Sequence, residues 1–459
     1  MKKLKIFIKN NNQFVKNFFS KGHKRTLKAK KNIAASFAIK GLSILVSLLL
    51  VPLTIDYVNP TQYGIWLTLS SIIAWFSFFD IGFANGLRNR FAEAIANQNF
   101  EKARIYVSTT YAVLAIIFTV VLILFFGINF FIDWSVILNT TPNMAAELST
   151  LALIVFSFFC IQIVLKTISI ILLADQKPAL SAFLDTLGQL ISLIIIIILT
   201  KTTTGSLINL GFAFGLAPIV VLVISSIWLY HKLYRIYKPS IKYVNFTYTK
   251  YIMKLGIKFF IIQIAVIVIY QSSNIIISHV SGPVDVTVFN IAYKYIGILL
   301  MAFAILITPY WSAFTEAYVE KDYSWMISTV KKLRQINYLL VIAVIIILIV
   351  ANPVYKLWIG DAVIIPFSVS ASISLFVIIL SLITLNTNIL NGFGKIKLQL
   401  ITYSFGTILH VPTAIVLGKK LGIIGVVFSA SFYCLIIGIF SVIQVNKLIR
   451  RNASGIWNE

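Results

Sequence analysis

The stretch RFAEAIANQNF, Arg90 to Phe100, reads as the polar end of a helix, and it returns in outline as AFTEAYVEKDY, Ala313 to Tyr323. Phe91, Glu93, Ala94 and Phe100 are matched by Phe314, Glu316, Ala317 and Tyr323, each 223 positions later. Pro60 and Pro283 keep the same separation. Further along each half, ADQKPALSAFLDTLGQL aligns with GFGKIKLQLITYSFGTI at an offset of 218, pairing Lys177 with Lys395 and Gly188 with Gly406. Collinear matches at polar positions are not easily produced by a shared apolar bias, so the chain reads as two copies of one unit.

The sequence around these segments says what the unit is made of. A mean hydropathy of +0.93 with 12% charged residues does not describe a water-soluble domain of 459 residues. Runs such as IKGLSILVSLLLVPLTI and YAVLAIIFTVVLILFFGINFFI suit a hydrocarbon layer about 30 Å thick, which takes about 20 helical residues to cross. They do not alternate apolar and polar residues, as strands of a membrane barrel would. Twelve spans are predicted, six within residues 32–230 and six within 257–446, with a basic segment at 1–31, a basic linker at 231–256 and a tail at 447–459. An even number of spans per half makes the repeat parallel, about an axis normal to the membrane. The predicted fold is therefore an all-α polytopic membrane protein of two six-helix lobes.

Charge orients it. Of the 39 Lys and Arg residues, 32 fall in the two terminal segments and the loops on their side, and four (Lys201, Lys356, Lys419, Lys420) fall on the other. Loops retained in the cytoplasm carry the positive excess, so both termini are expected there. The first 31 residues hold no acid, and Phe7, Phe14, Phe18 and Phe19 interleave their lysines; anionic lipid headgroups are the expected partner of this segment and of the tyrosine-rich linker. The net charge of +25 is spread over loops instead of one reading face, which argues against nucleic acid. No cleavable signal peptide is read at the N-terminus, and the two cysteines, Cys160 and Cys434, fall in apolar runs as small hydrophobes.

The stretch NIAASFAIKGLSILVSLLLVPLTIDYVNPTQYGIW, followed by FFDIGFANGLRNRFAEAIANQNFEKARIYVSTTYAV, resembles the polysaccharide transporters, the Wzx-type lipid-linked oligosaccharide flippases of the multidrug/oligosaccharidyl-lipid/polysaccharide exporter superfamily. The shared features are the basic tail, a first span ending near Pro52, the YG after the first outer loop, and D-x-G followed by NGLRN in the second span. The second half matches mainly in architecture. The resemblance implies a flippase of the bacterial cytoplasmic membrane that moves polyprenyl-pyrophosphate-linked oligosaccharide outward for surface polysaccharide assembly. It allows proton or sodium coupling without deciding between them.

Intramembrane charges are costly and mark cavities or pathways. Lys40, Lys166 and Lys294 lie within apolar spans and suit a lumen for an anionic head group, against the competing reading that they snorkel to an interface. Asp80 and Asp185 are candidates for a coupling ion, or else fixed partners of a lysine. Gln263, Gln271 and Asn274 share one helical face, and with Asn386 and Asn388 they are further cavity candidates; helix-to-helix hydrogen bonding competes for each. His410 reads as a packed histidine. Arg88, Arg90, Glu93 and Glu316 are candidates for a cytoplasmic gate built of ion pairs, with a plain structural role as the alternative. No HExxH, GxSxG, P-loop or paired His/Cys spacing is present, so no metal, cofactor or enzymatic machinery is expected. A drug or small-molecule antiporter of the same superfamily is the main rival function. A membrane polymerase or glycosyltransferase is the other, though its usual large outer loop is missing.

Overall fold

The computed structural model describes residues 24–76, 83–175, 177–250, 268 and 272–458, and among them every regular element is a helix. The first lobe comprises α1 (Lys24–Val58), α2 (Pro60–Trp75), α3 (Phe83–Ala96), α4 (Phe100–Asn129), α5 (Ala145–Leu165), α6 (Thr167–Ala174), α7 (Pro178–Thr202) and α8 (Leu207–His231). The second comprises α9 (272–281), α10 (Pro283–Val319), α11 (Tyr323–Ile349), α12 (Ala351–Ile359), α13 (Phe367–Phe393), α14 (Lys397–Leu421) and α15 (Ile423–Ile449). Ten segments among the described residues are long and apolar enough to cross a bilayer. The other two of the twelve expected spans, near 64–85 and 257–280, run into residues 77–82 and 251–267, which lie outside the described part.

The repeat read from sequence is present in the backbone. Asn59 and Gly282 both take left-handed φ values, 85° and 98°, and each precedes the proline that opens α2 or α10. Asparagine and glycine are the residues that tolerate this conformation, and proline's fixed φ suits the first helical position. At the other turn, Gln98 and Lys321 have φ of 56° and 59°. The amides that follow donate back alike, Asn99 to the Ala94 carbonyl and Asp322 to the Ala317 carbonyl, both at 2.9 Å. Lys177 donates to Leu172 O at 2.8 Å as Lys395 does to Leu390 O at 3.1 Å, which preserves the second offset as well.

So the opening stretch is the end of α3, a left-handed turn, and the start of α4. Phe91 and Phe314 are fully buried beneath it in their respective lobes. The next helices are capped by Asn99, which accepts from Lys102 N at 3.0 Å, and by Asp322, which accepts from Trp325 N at 3.0 Å. Asn99→Ala should cost about 1 kcal/mol, read as earlier thermal unfolding in detergent with transport geometry unchanged. The Trp325 amide, with the Ser324 hydroxyl, holds the Asp322 carboxyl below its usual range. Its contribution is therefore present above the ordinary carboxylate pKa and is lost as pH falls through the lowered value.

Within the first lobe α1 packs on α7, α7 on α8, α8 on α5 and α5 on α4; in the second α10 packs on α13, and α13 and α14 on α15. Phe125 and Phe156 stack at 3.9 Å between ring centroids, with Phe76 edge-on to Phe156 at 4.6 Å. Gly188 lets α7 approach Pro218 of α8, where an added Cβ would lie 3.1 Å from the proline Cα. The outward faces stay apolar: Ile123 and Ile408 are exposed, as lipid-facing residues are.

Candidate functional site

Between the lobes lies a cavity of about 550 Å³ whose walls come from α1, α5, α7, α8 and α10. Each of three first-lobe helices presents a polar stripe to it. On α1 Lys40 and Ser43 are three residues apart; Gln162 of α5 is followed four residues later by Lys166, just past the helix end; on α7 Asp185 is followed four residues later by Gln189. Side chains three or four apart on a helix share a face. Ser43 donates to Gln189 Oε1 at 3.0 Å, which ties α1 to α7 across the wall. A neighbouring chamber of about 220 Å³ shares the wall residues Ser43, Ile44, Gln189 and Met301 and adds Ser47, Tyr293 and Lys294.

The three intramembrane lysines predicted from sequence thus line two neighbouring chambers that share a wall, Lys40 and Lys166 with Asp185 in the larger and Lys294 in the smaller, Asp185 being the carboxylate among the described residues of these linings. Lys40, Lys166 and Asp185 are exposed, and Lys294 is half-buried in the deeper chamber. Lys166 and Asp185 form no ion pair within 4 Å; the two ion pairs among the described residues are Arg90–Glu93 and Lys177–Asp175. Lys166 does not sit inside a continuous helix as its apolar setting suggested. It occupies the junction of α5 and α6, where its amide donates to both Gln162 O and Val164 O, and no proline or glycine in IVLKTIS announces that break. The uncharged members Ser43, Ser47, Gln162 and Gln189 were not singled out from sequence. The signal for Ser43, Gln162 and Gln189 was the three- or four-residue spacing to a charge that was, and for Ser47 the seven-residue, two-turn spacing to Lys40.

Beyond the deep chamber the lobes meet and close. Thr287 donates to Pro60 O at 2.7 Å, and a Cβ built on Gly64 would overlap the carbonyl oxygen of Pro283. Asn274 donates to Ser71 at 2.6 Å and accepts from Asn290 at 2.8 Å. Trp358 Nε1 donates to Leu48 O at 2.9 Å, and Asn139 to Ser278 O at 2.7 Å. Asn274, predicted as a cavity residue, is therefore part of this seal, 8% exposed and bonded across the lobe interface.

The remaining predicted residues fall elsewhere. Asn386 and Asn388 donate to carbonyls of their own helix, Leu382 O and Thr384 O, each at 2.7 Å, and do not line the cavity. Asp80, Gln263 and Gln271 lie outside the described residues, as does the Glu316 side chain. Arg90 and Glu93 pair at 2.8 Å within α3, so that bond joins nothing across the lobes, and Arg88 is exposed. His410 is fully buried against Ser429 at 3.1 Å, in keeping with a packed histidine. No group of three or more His, Cys, Asp or Glu residues placed to hold a metal occurs among the described residues.

Comparison with known proteins follows the same lines. Residues 29–315 match the family model described as polysaccharide biosynthesis protein. A putative O-antigen transporter of Salmonella typhi is 22% identical over 315 residues, covering 67% of this chain and 68% of its own length. Among solved structures, the inward-facing conformation of a multidrug resistance MATE family transporter of the MOP superfamily superposes with a TM-score of 0.74, covering 92% of this chain and all of that one at 16% identity. An outward-facing conformation of such a transporter gives 0.63 at 17% identity, over 92% of this chain and 96% of that one. At these identities the structural likeness concerns the fold.

Proposed function

The chain belongs to the polysaccharide biosynthesis protein family, and from that premise we propose that this multi-pass membrane transporter is a flippase for polyprenyl-pyrophosphate-linked oligosaccharide. The observation that carries the reading is the charge of the cavity walls: Lys40 and Lys166 against Asp185 in the larger chamber between the lobes, and Lys294 in the smaller one that shares its wall. A pyrophosphate needs cations, and a glycan needs a polar route, because sugar hydroxyls moved into hydrocarbon lose hydrogen bonds at several kcal/mol each. The lipid tail stays in the bilayer while the head group crosses inside.

Alternating access supplies the cycle. In the present state the α2–α10 crossing and the Trp358–Leu48 contact seal one end, which the loop charges assign to the outer face of the bacterial cytoplasmic membrane, with both termini inside. The better superposition on an inward-facing transporter than on an outward-facing one supports the same assignment. Closing the cavity inside and parting the seal outside would then deliver the head group to the outer leaflet. Asp185 is the residue we assign to a coupling proton or sodium ion, and its exposure to the cavity without an ion pair to Lys166 supports that reading; Asp80 stays a second candidate from sequence.

A drug antiporter of the same fold would want an acid-lined cavity for cations, and the lysines here oppose that. The deciding experiment depletes the protein in its native cell and separates lipid-linked oligosaccharide by leaflet. Accumulation on the cytoplasmic leaflet, with loss of surface polysaccharide, is the expected result. Unchanged leaflet distribution with altered sensitivity to cationic drugs would replace this reading with the antiporter.

A further inference from the structure

The linker between the lobes is laid down as a strap along the first turns of α4. Arg104 Nε donates to Lys238 O at 2.9 Å and its guanidinium lies 4.1 Å from the centre of the Tyr243 ring. Ser240 N donates to Ser108 Oγ at 3.1 Å, Asn245 N to Thr109 Oγ1 at 3.0 Å, and the Thr109 hydroxyl returns a bond to Asn245 O at 3.3 Å. Tyr248 packs edge-on against Tyr106. These contacts use the strap's backbone and its tyrosines, and they leave three large apolar side chains outside: Ile241 is 92% exposed, Ile236 62% and Phe246 57%. Lys238, Lys242 and Lys250 are exposed among them.

The strap's level along α4 says what these residues meet. From Thr109 to Asn129 there are 20 residues of unbroken helix, about 30 Å at 1.5 Å per residue, the thickness of the hydrocarbon layer. At the far end Asn129 accepts from Trp134 Nε1 at 2.7 Å and donates to Ser149 at 2.7 Å, a polar and aromatic cluster that suits the opposite interface. The strap therefore sits at the headgroup level of the near leaflet. Exposed apolar side chains interleaved with lysines at that depth are the composition of an interfacial anchor, in which carbon enters the acyl boundary and ammonium groups meet phosphate.

We propose that residues 236–250 form an interfacial foot that binds the adjacent leaflet, Ile241 and Phe246 entering the headgroup layer and Lys238 and Lys242 contacting anionic lipid, so that the first lobe is held at fixed depth. This holds whatever the cargo is, and transport plays no part in its test. Because the two native cysteines are buried, single nitroxide labels can be placed at Ile241→Cys, Phe246→Cys and, as a water-facing reference on the α3–α4 turn, Asn97→Cys. In nanodiscs of mixed zwitterionic and anionic phospholipid, labels at 241 and 246 should collide several-fold less with a water-soluble relaxant than the label at 97, and more with oxygen. Adding Lys238→Gln and Lys242→Gln should reduce that protection. Labels at 241 and 246 as water-accessible as the one at 97 would overturn the proposal. So would labels accessible in nanodiscs but protected in native membranes, which would make the strap a docking face for another protein.

Discussion

Gly64→Ala is expected to part the α2–α10 crossing and shift the protein away from the state seen here. By the 223-residue repeat Gly64 corresponds to Thr287, and Pro60 to Pro283, so the crossing is built of two related halves that differ in chemistry. On one half the Thr287 hydroxyl donates to the Pro60 carbonyl at 2.7 Å. On the other, the bare Cα of Gly64 lies against the Pro283 carbonyl, where a methyl group would overlap the oxygen. That oxygen is backbone and cannot rotate aside, so the overlap must be relieved by separating the helices. Overpacking of this kind costs about 1–3 kcal/mol, and a difference of that size shifts a two-state equilibrium by roughly 5- to 150-fold. Alanine is the better helix former by about 1 kcal/mol, so α2 itself should not suffer. With Gln189→Cys as a reporter lining both chambers, an impermeant thiol reagent applied from the crossing side should react faster in the Gly64→Ala protein. An unchanged reaction rate would show that the crossing does not seal the cavity. Thr287→Val should move the rate the same way but less, as one hydrogen bond of about 1 kcal/mol is lost.

The sequence carried the architecture because the repeat is marked at turns, where only certain residues serve. Asn59 and Gly282 look unrelated as letters, yet both satisfy the same left-handed φ before a proline, and Asn99 and Asp322 are interchangeable as helix caps. Lys40, Lys166 and Lys294 were legible because a cation in an apolar run has few reasons to be there. What the sequence hid were choices among equally polar neighbours. Asn274 could equally have faced a lumen or a partner helix, and its bonds to Ser71 and Asn290 settle that through residues remote in the chain. Asn386 and Asn388 satisfy their own helix carbonyls, an option open to any intramembrane asparagine and invisible to spacing. Nothing near Arg104 in the sequence marks Tyr243 as its partner, yet its guanidinium covers that ring in the linker. That contact depends on where the linker returns, which no local pattern encodes.

Lys166→Ala should impair transport more than any other single change to the cavity wall, while Lys166→Arg should retain much of it. Lys166 stands at the α5–α6 junction, exposed to the cavity and four residues from Gln162 on the same wall. A cation there attracts a phosphate at 4 Å by about 1 to 4 kcal/mol, depending on how much water the cavity keeps, and even the lower figure is about fivefold in binding. Arginine keeps the charge and adds reach, so it tests charge against shape. Because Lys166 and Asp185 share the cavity without forming an ion pair, removing the lysine leaves no buried carboxylate stranded, and Asp185→Asn should not be needed to restore folding. Asp185→Asn alone should instead leave head-group binding intact or tighter, since the larger chamber then keeps Lys40 and Lys166 without that carboxylate, and, under the coupling role proposed for Asp185, should slow flipping. The measurement is flipping of lipid-linked oligosaccharide at matched protein level, with binding of a pyrophosphate head-group analogue as the second readout. Normal flipping and binding by Lys166→Ala would mean that the lysine snorkels past the cavity and that the substrate's charge is met elsewhere. Loss of the protein from the membrane, rescued by adding Asp185→Asn, would mean that the two residues pair in a state other than the one described, and the lysine would then be a structural cation in place of a binding one.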